Sequence, residues 1–251
     1  TTYHQRFREW LKYVQENDLC IQGAMTDVKG QRGVVPSQQA DPDMFVHIVE
    51  RRSDGIIIRG TKASQTGSVN SHEMLIMPTL NMRKGDEDYA VACSVPMDTE
   101  GIILIYGRQS CDTRKLEEGD IDVGNYNFGA QETLTILDNV FVPWERVFMC
   151  GEVEFAIMLV ERFAAYHRQS YGGCKPGISD VLIGATASMA DYNGIRNAPH
   201  VREKIGEMIH LVETMYSGGL ACAYEGWQTR SGNYQDNMLL ANACKHNVTR
   251  F

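Results

Sequence analysis

Four side chains able to do chemistry fall within nine residues: His167, Tyr171, Cys174 and Lys175, in the stretch YHRQSYGGCK that ends at Lys175. Imidazole and thiolate are metal ligands, and imidazole, phenol and ammonium can hold or pass a proton. If the segment stays helical, His167 and Cys174 share a face but stand roughly 10 Å apart along the axis, at about 1.5 Å per residue. One tetrahedral zinc, with ligand atoms about 2.0–2.3 Å from the metal, matches that span poorly. An iron–sulfur cluster is wider and can take one ligand on each of two irons. A bland alternative stands beside it: a hydrogen-bonded histidine and a buried thiol near a helix end.

The elements that must position these groups can be read from periodicity. Phe155, Met158, Leu159, Phe163 and Tyr166 recur at three- and four-residue spacing, predicting an amphipathic helix that leads into His167. Gly172 and Gly173 are expected to end or distort that helix, and Pro176 to block its continuation in register. Cys174 and Lys175 are therefore expected on a bend. Beyond them, one helical stripe runs through Ile178, Val181, Leu182, Ala185 and Met189. A second runs through Val201, Ile205, Met208, Ile209, Val212 and Met215, and a third starts near Tyr234 and continues through Met238 and Leu239. NGIRNAPH and GWQTRSGN supply the breaks.

Upstream, Phe7, Trp10, Leu11 and Val14 predict a helix from Tyr3 to Asp18, followed by a Gly-, Pro- and Asp-rich loop, AMTDVKGQRGVVPSQQADPD. Met44 to Pro143 reads as strands. FVHIVERRSDGIIIRG predicts a hairpin turning at Ser53, Asp54 and Gly55, while MLIMP, YAVACSVP, GIILIYG, TLTIL and NVFVP predict further short strands. TKASQTGSVNSHE is expected to interrupt them as a polar loop. Glu132 opens a strand after GNYNFGA, read as flexible; at such an entrance a glutamate is ordinarily just solvated. The fold expected is α+β: a short N-terminal helix (1–19), a central β-barrel or sandwich (20–150) and a helical bundle (151–251).

With 251 residues, 43% hydrophobic and 22% charged, the chain can bury a substantial core. A net charge of −8 argues against a nucleic-acid surface. No run reaches the length of a membrane span and no secretory signal is evident, so no membrane or nucleic-acid partner and a cytoplasmic location are expected. Seven scattered cysteines fit reduced thiols. The start at Thr1 and the end at Phe251 inside a helical pattern lead us to expect a segment of a longer polypeptide.

YHRQSYGGCK, together with GAMTD, RGTKASQTGSVNSHE, FGAQE and LDNVFVP, resembles the 4-hydroxybutyryl-CoA dehydratase/vinylacetyl-CoA Δ-isomerase group. That group lies within the 4-hydroxyphenylacetate 3-hydroxylase flavoprotein family, similar in fold to acyl-CoA dehydrogenases. The resemblance runs along essentially the whole chain. It implies FAD contacts at Met25, Thr26 and Asp27, more weakly at Arg32, and at Thr66 with Gly67 and Ser68 beside it. It implies [4Fe–4S] ligation by His167 and Cys174, and an acyl-CoA substrate in a homotetramer. His167 is also implied as a base, Glu132 as a catalytic acid or relay, raised in pKa if buried, and Tyr171 and Lys175 as groups that orient the leaving hydroxyl or stabilise an enolate.

The implied reaction is dehydration of 4-hydroxybutyryl-CoA to crotonyl-CoA. The thioester acidifies C2 but not C3, so acid–base chemistry alone is insufficient. Loss of one electron from the C2 enolate to flavin makes the C3 proton acidic, and iron can assist hydroxide leaving C4. The group's cluster uses two further cysteines from a short motif N-terminal to this region, and no stretch here matches it. The expectation is that they lie elsewhere in a longer polypeptide; otherwise this is a homologue without the cluster. Two other readings remain: a reduced-flavin-dependent aromatic monooxygenase of the same family, and a non-catalytic assembly fragment.

Overall fold

Short apolar segments separated by turns dominate the first part of the chain, and they pair as two sheets rather than closing on themselves. The structure, a computed structural model, describes residues 1–107 and 131–250. The GNYNFGA segment lies outside the described residues. By its internal contacts the chain divides into two compact units, Thr1–Val160 and Glu161–Phe251.

In the first unit, helix α1 (Thr2–Glu16) is capped by the Thr1 hydroxyl, which accepts from the His4 amide at 3.3 Å. Among the described residues, eight strands follow: β1 (Ile21–Ala24), β2 (His47–Arg51), β3 (Gly55–Thr66), β4 (Glu73–Ile76), β5 (Val91–Pro96), β6 (Ile102–Tyr106), β7 (Glu132–Pro143) and β8 (Val147–Cys150). They form two four-stranded sheets, ordered β1-β4-β5-β8 and β2-β3-β7-β6. The first is mixed, with β1 parallel to β4; the second is antiparallel throughout. One buried cluster draws Met74, Ile76, Val91 and Val95 from one sheet and Ile56, Ile58, Leu137 and Val142 from the other. Among the described residues no closed barrel is formed.

The hairpin at Ser53–Gly55 forms as its turn residues predict, with the Arg52 amide donating to the Gly55 carbonyl at 2.8 Å. Two expectations are corrected. TLTIL and NVFVP are one strand, because Asn139, at φ 54, absorbs an extra residue as a bulge opposite β3. The segment TKASQT is not loop but the end of β3, and the loop begins only at Gly67. Its polar side chains are compatible with a strand because Lys62 and Gln65 find buried hydrogen-bond partners.

Trp10 carries the docking of α1: it is buried, while Phe7 and Leu11 of the expected stripe remain more than a third exposed. Its indole N–H donates to Glu73 Oε2 at 2.8 Å, where Ser94 Oγ (2.5 Å) and Arg146 (2.7 Å) also donate. Burial pushes the Glu73 carboxyl up, but the three donors and the Arg146 charge outweigh it and hold the pKa below the usual carboxylate value. A depressed carboxyl pKa adds stability above the unfolded-state value and loses it as pH falls through the folded-state value. Acid unfolding followed by fluorescence should therefore show a shallower pH dependence in Glu73→Gln than in wild type. Equal slopes would contradict this role.

In the second unit, the last turns of α2 (Val153–Gln169) are followed by α3 (Tyr171–Tyr192), α4 (Pro199–Tyr224), a two-residue hairpin of β9 (Trp227–Gln228) with β10 (Tyr234–Gln235), and α5 (Met238–Arg250). Tyr234 thus belongs to a strand, not to the third helix. No bend is present at Cys174 either. The Ser170 amide donates to the Tyr166 carbonyl and the Cys174 amide to the Ser170 carbonyl, so helical bonding passes through the α2–α3 junction, and Gly172, Gly173, Cys174, Lys175 and Pro176 all lie within α3.

Gly172 is there for close packing: a Cβ on it would stand 2.5 Å from Gly219 Cα of α4. The buried face of α3 is Gly172, Pro176 and Ala190, whereas Ile178, Val181, Leu182 and Met189 are more than half exposed. Gly172→Ala is expected to lose about 1–3 kcal/mol by overpacking against backbone that has no side chain to yield. Gly173→Ala, with nothing within 4 Å of its Cβ position, is expected to gain up to about 1 kcal/mol from helix propensity. Denaturant midpoints of the two variants should move in opposite directions; movement in the same direction would refute the packing account. Among the described residues, no helix is long and apolar enough to cross a membrane.

Candidate functional site

In the first unit, the end of β3 collects most of the residues singled out in the sequence. Thr66 is opposite Glu132 across the β3–β7 pairing, and its hydroxyl donates to Glu132 Oε1 at 3.0 Å. Both are exposed. Glu132 is thus exposed, as a glutamate at a strand entrance ordinarily is: it sits at the first position of β7, where its partner is the Thr66 hydroxyl. Gly67 follows at φ 75 with nothing within 4 Å of where a Cβ would lie, so the backbone there is open to close approach by a ligand. Ser68 faces inward. Its hydroxyl donates to the Gln65 carbonyl at 3.0 Å and lies 2.6 Å from Thr133 Oγ1, which commits it to fixing the turn.

Met25 and Thr26 lie half-buried beside this strand, held by backbone and side-chain bonds. The Ala63 amide donates to the Thr26 carbonyl at 2.9 Å, and Lys62 Nζ donates to the Met25 carbonyl at 2.9 Å. Asp27 is buried rather than presented to a ligand. Lys62 Nζ stands 2.8 Å from its Oδ1, the Thr79 hydroxyl donates to its Oδ2 at 2.6 Å, and the Val46 amide donates to Oδ1 at 3.2 Å. Arg32 is exposed on the following loop and takes part in none of these contacts.

Lys62, Gln65 and Thr79 are the residues that sequence reading missed. Lys62 is 1% and Gln65 2% exposed. Burial pushes the Lys62 pKa below the usual lysine value, and Asp27 pulls it back up. The available signal was a lysine in the polar continuation of the apolar run GIIIRG, a position that demands an acid within reach.

In the second unit, His167, Tyr171 and Lys175 lie at i, i+4 and i+8 and meet across the α2–α3 junction. His167 Nε2 is 3.0 Å from the Tyr171 hydroxyl, its ring stacks on Phe163 at 5.9 Å, and Lys175 Nζ stands 5.5 Å from the centre of the Tyr171 ring. Desolvation of the imidazole lowers the His167 pKa below the usual value, and the Arg168 and Lys175 charges act in the same direction. A neutral ring in its Nδ1–H tautomer can accept the Tyr171 proton, with the Lys175 ammonium favouring the negative charge that develops on the phenol. Cys174 is exposed and on the same helix, one residue before Lys175. Among the described residues, no group of three or more His, Cys, Asp or Glu is placed to hold a metal.

Residues 1–149 match the family described as 4-hydroxyphenylacetate 3-hydroxylase N terminal, and residues 156–251 the corresponding C-terminal family. The chain belongs to the 4-hydroxyphenylacetate 3-hydroxylase family. Within it, the chain is 62% identical over 252 aligned residues to the 4-hydroxybutyryl-CoA dehydratase/vinylacetyl-CoA-Δ-isomerase of Clostridium aminobutyricum, covering 100% of this chain and 51% of that protein. Its structure is similar to that of an oxygen-tolerant archaeal 4-hydroxybutyryl-CoA dehydratase from N. maritimus, with a TM-score of 0.91 and 54% identity over 100% of this chain and 50% of that one. It is also similar to the oxygenase component of 4-hydroxyphenylacetate 3-monooxygenase complexed with FAD, with a TM-score of 0.79 and 25% identity over 97% and 50% of the two chains. The chain spans about half the length of the relatives it matches.

Proposed function

We propose that the complete polypeptide carrying this chain catalyses FAD- and [4Fe–4S]-dependent radical dehydration of 4-hydroxybutyryl-CoA to crotonyl-CoA, with vinylacetyl-CoA isomerase activity, as a homotetramer. The observation that carries this reading is the identity to the dehydratases, more than twice that to the monooxygenase component and spread over the whole chain. The two sheets with their common core would serve as the acyl-CoA dehydrogenase-like barrel or sandwich domain.

The first unit fits a flavin. Gly67 leaves space for a flat ring to approach the end of β3, the exposed Thr66 hydroxyl supplies a polar contact, and Met25 and Thr26 are fixed alongside. FAD supplies the one-electron chemistry that removal of a hydrogen from the unactivated C3 needs. Glu132, bonded to Thr66, can hold or relay a proton at the same edge. In the second unit, Tyr171 passes a proton through its hydroxyl and Lys175 stabilises the resulting negative charge; His167 would take a proton only while it is not an iron ligand, because a metal-bound ring nitrogen cannot also accept one.

His167 and Cys174 supply two ligands where a [4Fe–4S] cluster needs four. The cluster therefore requires two thiolates from elsewhere in the complete polypeptide, and the residues described here do not hold it alone.

The test is iron, acid-labile sulfide and flavin per chain in the anaerobically purified complete polypeptide, beside its His167→Ala variant. About four irons and one flavin in wild type, with iron lost from the variant, are expected. Flavin without iron in both would overturn dehydration and point to reduced-flavin-dependent hydroxylation of a phenol. Neither cofactor in either would leave an assembly role.

A further inference from the structure

Lys62 and Gln65 are both buried although they are three residues apart on one strand, whereas alternation places such residues on opposite faces. The register explains it: Lys62 pairs with Thr135 and Gln65 with Thr133, so β3 carries one residue more than β7 between them. Ser64, exposed and at φ 53, lies in this bulge. A bulge there re-aims every side chain after it. Gln65 turns inward, and Thr66 outward to Glu132.

The inward Gln65 amide then reaches three neighbours, Thr26, Ala63 and Gln22. Nε2 donates to the Thr26 carbonyl at 3.2 Å and to the Ala63 carbonyl at 2.5 Å, and Oε1 accepts from Gln22 Nε2 at 2.7 Å. The Gln65 backbone carbonyl accepts from Ser68 Oγ at 3.0 Å. One side chain thus ties the Met25–Thr26 segment to β3, and its own backbone ties β3 to the Gly67–Ser68 turn. Its orientation is fixed, because reversing the amide would set its oxygen against two carbonyls.

We infer that Gln65 is a positioning residue for the flavin: by joining the two chain segments it sets the spacing between Met25–Thr26 and Thr66–Gly67. This rests on the FAD reading above. Gln65 touches no reacting atom and acts through Thr26 and Thr66.

The experiment uses the complete polypeptide with FAD removed and restored. The FAD dissociation constant and the absorption spectrum of bound flavin are compared for wild type, Gln65→Met and Val91→Ala. Val91→Ala weakens the common core without touching the network. Gln65→Met is expected to bind FAD about tenfold more weakly, the equivalent of one hydrogen bond's alignment, and to shift the flavin bands. Val91→Ala is expected to lower the unfolding midpoint but to keep affinity and spectrum.

Wild type that takes up no FAD defeats the flavin reading itself. Wild type that binds, with Gln65→Met binding equally and with the same spectrum, overturns the positioning role and leaves the flavin reading standing. Equal weakening in Val91→Ala reduces Gln65 to a structural residue and also overturns it. If Gln65→Met does not fold, Gln22→Met takes away the donor to Gln65 Oε1, together with the Gln22 bond to the Gly23 carbonyl, and an unchanged flavin spectrum in that variant overturns the proposal.

Discussion

Lys62→Met is expected to lower the unfolding free energy by about 3–5 kcal/mol, the cost of stranding one member of a buried ion pair. Lys62 Nζ is shared between Asp27 Oδ1 at 2.8 Å, the Met25 carbonyl at 2.9 Å and the Met77 carbonyl at 2.8 Å, with both charged side chains no more than 3% exposed. Methionine fills the same volume, so the loss reports the charge and not a cavity. The diagnostic result is a change of sign. In wild type, Asp27→Asn should destabilise, because it removes the partner of Lys62. In the Lys62→Met background the same substitution should restore part of the stability, because it removes a charge left buried and alone, while Asn Oδ1 still accepts from the Val46 amide. Denaturant unfolding of the four proteins measures this directly. If Asp27→Asn destabilises both backgrounds equally, the pair is not coupled and its burial has another cause.

Tyr171→Phe in the complete polypeptide should reduce kcat for dehydration by roughly 10²–10⁴-fold, the range over which a positioned proton-transfer group acts. The substitution keeps the ring and its contact with Lys175 and removes only the hydroxyl 3.0 Å from His167 Nε2. Because Tyr171 is no ligand in the proposed cluster, iron and flavin content should match wild type, which separates this variant from His167→Ala. A kcat within a few-fold of wild type, with cofactors intact, would remove Tyr171 from the proton path. Stability should change little: the hydroxyl is at the surface, where a hydrogen bond contributes about 0.5–1.5 kcal/mol.

What the sequence could announce was what lies within one or two turns of chain. His167, Tyr171 and Lys175 are four residues apart in succession, so any helical path through them brings them together, and the structure does so. The hairpin at Ser53–Gly55 is equally local. Periodicity also showed which residues share a helix face, but it could not say which face is covered. On α3 the apolar stripe stays exposed, and the small face of Gly172 and Ala190 packs, because close approach of two backbones requires the absence of side chains.

The edge of β3 was decided by tertiary structure. Thr66 meets Glu132 across 66 residues of chain, and Lys62 reaches Asp27, far back in the chain, through strand pairing rather than by any local repeat. The type of each of these residues was visible from the start, and so was their polarity. Their facing was not, because one extra residue at Ser64 inverts the alternation that a strand pattern assumes. The sequence by itself determined the strand-rich and helical parts and the local His–Tyr–Lys cluster. Only the pairing of distant strands decided that Asp27 would be a buried anchor, Glu132 an exposed edge group, and Gln65 the link between the two segments.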